Sequence, residues 1–310
     1  MTNSARILAP CLFAIALAAA CAPAERDSSS FVGVLEDKVI DEASGLAASH
    51  KEADVLWVIN DDGPAVLYAI NATGKSLGRV ELADARNRDW EDLASFRLND
   101  DAYLLVADIG DNERRREKVR LYLLPEPEPA TSKSTSARRI DFRYPDGPRD
   151  AEAIAVDVEN ERALILSKRE IPAVLYSVSL AGSMDKLQTA TRLGAVGSLP
   201  QPSRNDIASA ARKKDWNWQP TAMDIASDGS SAVVLTYAGV YLYRRTAGED
   251  WIDAMQRRPE VVSRSRNASA ESIAFNASGD AVYITLEQRN APLFRLDLSG
   301  TKKANPEVGL

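Results

Sequence analysis

Cysteine and histidine are almost missing. The 310 residues contain two cysteines, Cys11 and Cys21, and one histidine, His50. Cys11 lies inside an N-terminal apolar run, so a mature chain keeps at most one cysteine and cannot form an internal disulfide. With so few nitrogen and sulfur ligands, a zinc or copper site of the usual type is excluded, and only oxygen ligands remain. There is no Gly-x-Ser-x-Gly, and His50, in Ser49-His-Lys-Glu, reads as a solvated loop residue, so a nucleophilic triad is not supported. Basic charge is also short: the formal net charge is -7, which argues against nucleic acid as a partner. The longest apolar run, Ile7 to Ala20, is fourteen residues, against the roughly twenty needed to span a bilayer.

That run follows Arg6 and reads as a signal peptide over residues 1–20. It ends in Leu17-Ala-Ala-Ala-Cys21, which resembles a bacterial lipoprotein cleavage box, with Ala18 where Leu is commoner. The resemblance implies acylation of Cys21, a lipid anchor in a membrane and, with Ala22 beside it, an outer-membrane lipoprotein facing the periplasm or cell surface. Ordinary cleavage near Ala18 to Ala22 is the alternative. Residues 21–30 are polar and small, a flexible tether. Residues 31–300 are the folded domain and 301–310 a tail. A domain of this length buries a large core without staples and is expected to be monomeric.

One phrase recurs five times: an acidic or small residue, usually an acid two places on, then Leu or Ile followed by Ala. It reads Glu42-Ala-Ser-Gly-Leu46-Ala, Asp89-Trp-Glu-Asp-Leu93-Ala, Asp150-Ala-Glu-Ala-Ile154-Ala, Thr221-Ala-Met-Asp-Ile225-Ala and Ser269-Ala-Glu-Ser-Ile273-Ala. After each comes an alternating apolar run, such as Val55-Leu-Trp-Val-Ile59, and then a strand carrying an aromatic, such as Leu121-Tyr122. A multi-strand unit repeated at this scale predicts an all-β, five-bladed β-propeller. Phe31 to Leu35 has no blade of its own, so it is expected to close the ring as the outer strand of the last blade. The long third gap, with Gln201 to Pro220, invites a sixth blade. That stretch lacks strand alternation and reads instead as an insertion, partly helical.

In a propeller the first strand of every blade lines the central channel, so one repeat position converges on the axis. Two places before the anchor stand Ser44, Glu91, Glu152, Met223 and Glu271; four places before it stand Glu42, Asp89, Asp150, Thr221 and Ser269. Glu91, Glu152 and Glu271, with Asp89, Asp150 and Glu42 one layer further out, demand a counter-charge. Calcium suits them, because it takes many oxygen ligands in irregular geometry. Alternatively the acids cap strand ends, bond backbone N–H groups of the neighbouring blade, or pair with Arg88 and Arg149. A second cluster follows the second strands. Asp108-Ile-Gly-Asp111-Asn112 offers further metal ligands in Asp108 and Asp111, while Arg114, Arg115, Lys168 and Arg169, with Glu287, would meet a ligand. Both clusters should border one funnel.

The phrases Asp89-Trp-Glu-Asp and Asp108-Ile-Gly-Asp-Asn112, with Leu121-Tyr122, resemble a family of secreted bacterial propeller proteins of largely unassigned activity. More distantly, the Glu-x-Ile/Leu-Ala strand is similar to the phytase-like and gluconolactonase-like calcium-binding propellers. That likeness implies metal ligation at Glu91, Glu152 and Glu271. Two functions stay open. One is a lipid-anchored propeller binding a small molecule or protein on its funnel face. The other is a calcium-dependent hydrolase of a phosphoester, lactone or ester, in which Lys168, Arg169 or Arg114 to Arg116 would hold the anion. The fold does not choose between them.

Overall fold

The apolar runs form strands because their β-branched and aromatic residues fill both faces of sheets that are packed on both sides. Val55–Asn60 is buried along its whole length. In the computed structural model, which describes residues 29–129, 134–181, 186–213, 218–264 and 269–298, these strands make five antiparallel sheets arranged as a five-bladed β-propeller. The expected leader, Cys21, most of the tether and the tail lie outside the described residues.

Innermost strands are Ala43–Ala48, Trp90–Leu98, Ala151–Asp157, Pro220–Ile225 and Ala270–Phe275 for blades 1 to 5. Each packs against the innermost strand of the blade before and after it, and blade 5 against blade 1, so the ring is closed. Closure is achieved by Ser29–Val34, which pairs antiparallel with Pro292–Asp297 as the outer strand of blade 5. The N-terminal strand is thus where the sequence puts it. A turn locks it to blade 1. Asn71 accepts the N–H groups of Thr73 and Lys75 through its side chain, and Gly74 takes a positive φ of 86°. A Cβ on Gly74 would stand 2.3 Å from the Val34 carbonyl oxygen, so only glycine lets the two backbones meet.

The core is a set of inter-blade layers. Trp57, Trp90 and Tyr122 fill the space between blades 1 and 2, and Met223, Tyr243 and Trp251 that between blades 3 and 4. Blade 2 carries an unexpected addition, Gln188–Thr189, which pairs parallel with its outer strand Arg138–Arg143 on the way through blade 3. The stretch between blades 3 and 4 contains the helix Arg204–Lys213, as an insertion and not a blade.

Register supplies one correction. Leu46, Leu93, Ile154 and Ile273 pair with Val58, Val106, Ile165 and Ile284 of their second strands. In blade 4 the equivalent pair is Met223 with Val234, so Met223 is the anchor and Ile225 lies two residues too far along. Alternate residues of a strand share a face, so the apolar pattern fits either frame. The residue matching Glu91, Glu152 and Glu271 in blade 4 is therefore Thr221, and the Asp at 224 replaces the repeated alanine.

Candidate functional site at the acidic mouth

Every innermost strand carries a β-bulge at one repeat position. Trp90 pairs with Asp108 and Asp92 with Ala107, which leaves Glu91 as an extra residue. Ser44, Glu152, Thr221 and Glu271 are left over in the same way. The bulge turns these side chains into the mouth of the channel. Where the residue is a hydroxyl it bridges blades: Ser44 donates to the Trp90 carbonyl at 2.7 Å and Thr221 to the Ala270 carbonyl at 2.8 Å. Where it is a glutamate, charge gathers.

Glu91 and Glu152 meet Asp150 of blade 3. Each of the three offers an oxygen within 4.8 Å of the others', and all three are buried. Asp150 is thus inside the cluster and not a layer further out. Its Oδ2 accepts from Arg169 Nε at 2.5 Å and its Oδ1 from the Asp111 N–H at 3.0 Å. Glu152 accepts a hydrogen bond from Lys168 Nζ, which also donates to the Tyr237 hydroxyl at 3.2 Å. Tyr237 in turn donates to Glu271 at 2.5 Å, and Glu271 is hydrogen-bonded to Glu287. The Glu91 carboxylate has neither a hydrogen-bond nor an ion-pair partner among the described residues, although the residue is only 7% exposed.

Asp89 is half-buried beside this group. The loop Asp108 to Asn112 lies against it so closely that a Cβ on Gly110 would stand 2.0 Å from Glu91 Oε1 and 2.6 Å from Asp89 Oδ2. Asp108 and Asp111, expected as ligands, are committed elsewhere. Asp108 pairs with Arg116 at 2.5 Å, and Asp111 accepts the N–H groups of Arg115 and Arg116 at 2.8 and 2.7 Å. The Arg114 and Arg115 side chains are exposed; the buried guanidinium of the trio is that of Arg116. Arg149 pairs with Asp146 and Glu170 and not with the mouth acids. Glu42 belongs to a separate group with Asp61 and Asp62 in blade 1.

Burial first, and crowding second, shift these groups. Burial, then Glu152 and Asp89, push Glu91 well above the usual carboxylate range. Burial also raises Glu152, to about 8, despite the pull of Lys168. It lifts Asp89 to about 6, and Glu287 to about 9 with help from Glu271. Asp61 reaches about 7 through burial and the Glu42 carboxylate. Burial works against the Lys168 ammonium, yet Glu152, Tyr237, Glu271 and Glu91 more than reverse it, so the lysine stays charged.

Sequence reasoning missed a fully buried acid of the innermost strands. Asp92 is fully buried and accepts three backbone N–H groups: its own neighbour Leu93 at 2.8 Å, Ile154 at 2.8 Å and Met223 at 3.2 Å. Those are the anchors of blades 2, 3 and 4, so one carboxylate ties three innermost strands together. Asp224 does the same for blades 4 and 5 by accepting from Ile225 and Phe275, each at 2.8 Å. Burial raises it to about 7. Their signal was an acid at repeat positions where other blades hold glycine, alanine or serine. His50 also departs from expectation: it is half-buried, its backbone N–H donates to the buried Glu126 at 3.0 Å, and burial lowers the pKa of its imidazole. With Ser95, Arg97, Asp157 and Asp224 it lines a cavity of about 360 Å³ at the other mouth of the channel.

No protein-family model matches the chain. No curated protein matches it by sequence either. Among solved structures, that of U3-55K is similar with a TM-score of 0.38 and 13% identity, over 83% of this chain and 68% of the other.

Proposed function

We propose that this protein is an extracytoplasmic binding propeller whose acidic mouth holds a hard divalent cation, calcium foremost, through Glu91, Asp150 and Glu152, and presents it to a ligand or partner on the funnel face. Glu91 carries this reading. The residue is nearly buried and its carboxylate has no donor of its own, so it gains from meeting a cation, and two further carboxylates lie within reach. Oxygen-only ligands suit calcium. The leader ending in Cys21 supports a lipid tether, and the Asp-Trp-Glu-Asp phrase, through its resemblance to secreted propellers, supports the same address.

Binding is favoured over hydrolysis because three of the five cations that would hold a substrate anion are turned inward, and the other two, Arg114 and Arg115, are exposed. Lys168, Arg169 and Arg116 pair with Glu152, Asp150 and Asp108. The test is a calorimetric calcium titration of residues 25–310 purified without chelator, with thermal melts alongside. Calcium at a hundred times its dissociation constant should stabilise the wild type by roughly 2.7 kcal/mol. Glu91→Gln, which keeps shape and removes charge, should lose most of that gain. Equal responses of the two proteins would remove Glu91 from the site, and no heat with either would end the metal reading.

A further inference from the structure

Lys168 is the odd member of the mouth. It follows directly on the second strand of blade 3, Arg162–Ser167, its side chain is 6% exposed, and its ammonium lies among Glu91, Glu152 and Glu271, 5.5 Å from the centre of the Tyr237 ring. Its backbone is pinned, because the Lys168 N–H donates to the Asp150 carbonyl at 3.0 Å. The side chain beyond is a flexible four-carbon stem carrying a compact point charge. So the charge can leave Glu152 while the strand stays in place.

Resting on the reading of the mouth as a cation site, we infer that Lys168 is a tethered competitor: its ammonium occupies the Glu152 carboxylate that a divalent ion needs, and an ion binds only by displacing it. Three features support this. Glu152 and Glu91 face one space, yet the lysine bonds Glu152 and leaves Glu91 without a partner. An ammonium and a divalent ion held by the same carboxylate repel each other, the more so in a site that is largely buried. A place for the displaced ammonium also exists. Tyr237, which already accepts from Lys168, donates to Glu271, so the lysine has a second carboxylate one hydrogen bond along toward blade 5. Arg169 differs: its guanidinium is shared between Asp150 and Asn112, a two-point clamp that holds its place.

The consequence is a site of deliberately modest affinity. It is charge-compensated when empty and responds to the ion by moving one side chain that faces the funnel. The experiment is calcium titration by calorimetry of the wild type, Lys168→Met and Lys168→Arg, each with a thermal melt in chelator. Lys168→Met keeps the length of the stem and removes the charge. It should bind calcium at least tenfold more tightly than wild type, equivalent to about 1.4 kcal/mol, while melting lower in chelator. Lys168→Arg keeps a competing cation and should stay closer to wild type than to the methionine variant. Should Lys168→Met fold poorly, Lys168→Gln takes its place with the same expectation. Wild-type binding with unchanged or weaker binding in the uncharged variants overturns the competitor role and leaves the cation site standing. No binding by any of the proteins overturns both.

Discussion

Asp92 shows how much one side chain can hold in a ring of strands. First strands in a propeller direct backbone groups into the channel, where there is no further strand to pair with them, and a buried N–H without an acceptor costs about 1–3 kcal/mol. The Asp92 carboxylate accepts from Leu93, Ile154 and Met223 at once. Asp92→Ala should therefore destabilise the folded domain by about 3 kcal/mol or more, after allowance for the relief of burying a carboxylate. Urea denaturation at neutral pH measures it, and a loss below about 1 kcal/mol would show that the three N–H groups find water instead. Mouth acids behave differently. Glu91, Glu152 and Asp150 are crowded against one another, so charge removal there should cost little stability and act on cation binding.

At the level of the element, the strand Ser29–Val34 decides whether the ring is closed. It supplies the outer edge of blade 5 through pairing with Pro292–Asp297, and its exit is tied to blade 1 by the Glu36 N–H donating to the Gly74 carbonyl at 3.0 Å. Removal of residues through Ala24 should leave the melt unchanged. Deletion through Glu36 exposes the edge of Pro292–Asp297 and uncovers Leu293 and Leu296, both fully buried. In a domain of this size each kcal/mol is worth about 2–4 °C, so the longer deletion should lower the melting temperature by about 10 °C or more. A scanning calorimeter reads both truncated proteins, and retention of the full melting temperature after deletion through Glu36 contradicts the closure.

Across the whole molecule, the buried acids make stability depend on pH in a direction opposite to that of a protein rich in surface salt bridges. Asp61 and Asp224 have folded pKa values of about 7, Glu152 about 8 and Glu287 about 9, all above their ordinary values near 4. Below about pH 4 these groups are protonated in both states and add no penalty. As pH rises, the unfolded chain releases its protons first, so folded stability falls through the window from about 4 to about 9. Melts in chelator should therefore be lower at about pH 8 than at about pH 5. Calcium, which binds ionised carboxylates, should narrow or reverse that difference, and a chelator melt that rises between the two pH values would refute the account.

Much was decided by sequence alone. Five repeats of an acid phrase, each followed by an alternating apolar run, determined five blades. The unattached strand near Phe31 determined how the ring closes, because a strand with both edges unpaired has nowhere else to go. The same phrase located the mouth, since equivalent positions of a ring must converge on its axis. Three things were left to the tertiary structure. The frame of blade 4 was one, because Met223 and Ile225 share a strand face and only pairing with Val234 separates them. The second was the fate of the cations: Lys168 and Arg169 read as ligand holders, yet the hairpin brings them back onto Glu152 and Asp150 of their own blade. The third was Asp92, whose partners Ile154 and Met223 lie in two other blades. A carboxylate that satisfies distant backbone groups shows in the sequence only as an acid out of step with its repeat, and its partners do not show at all, because the N–H groups it needs belong to every residue and are brought together only when the ring closes.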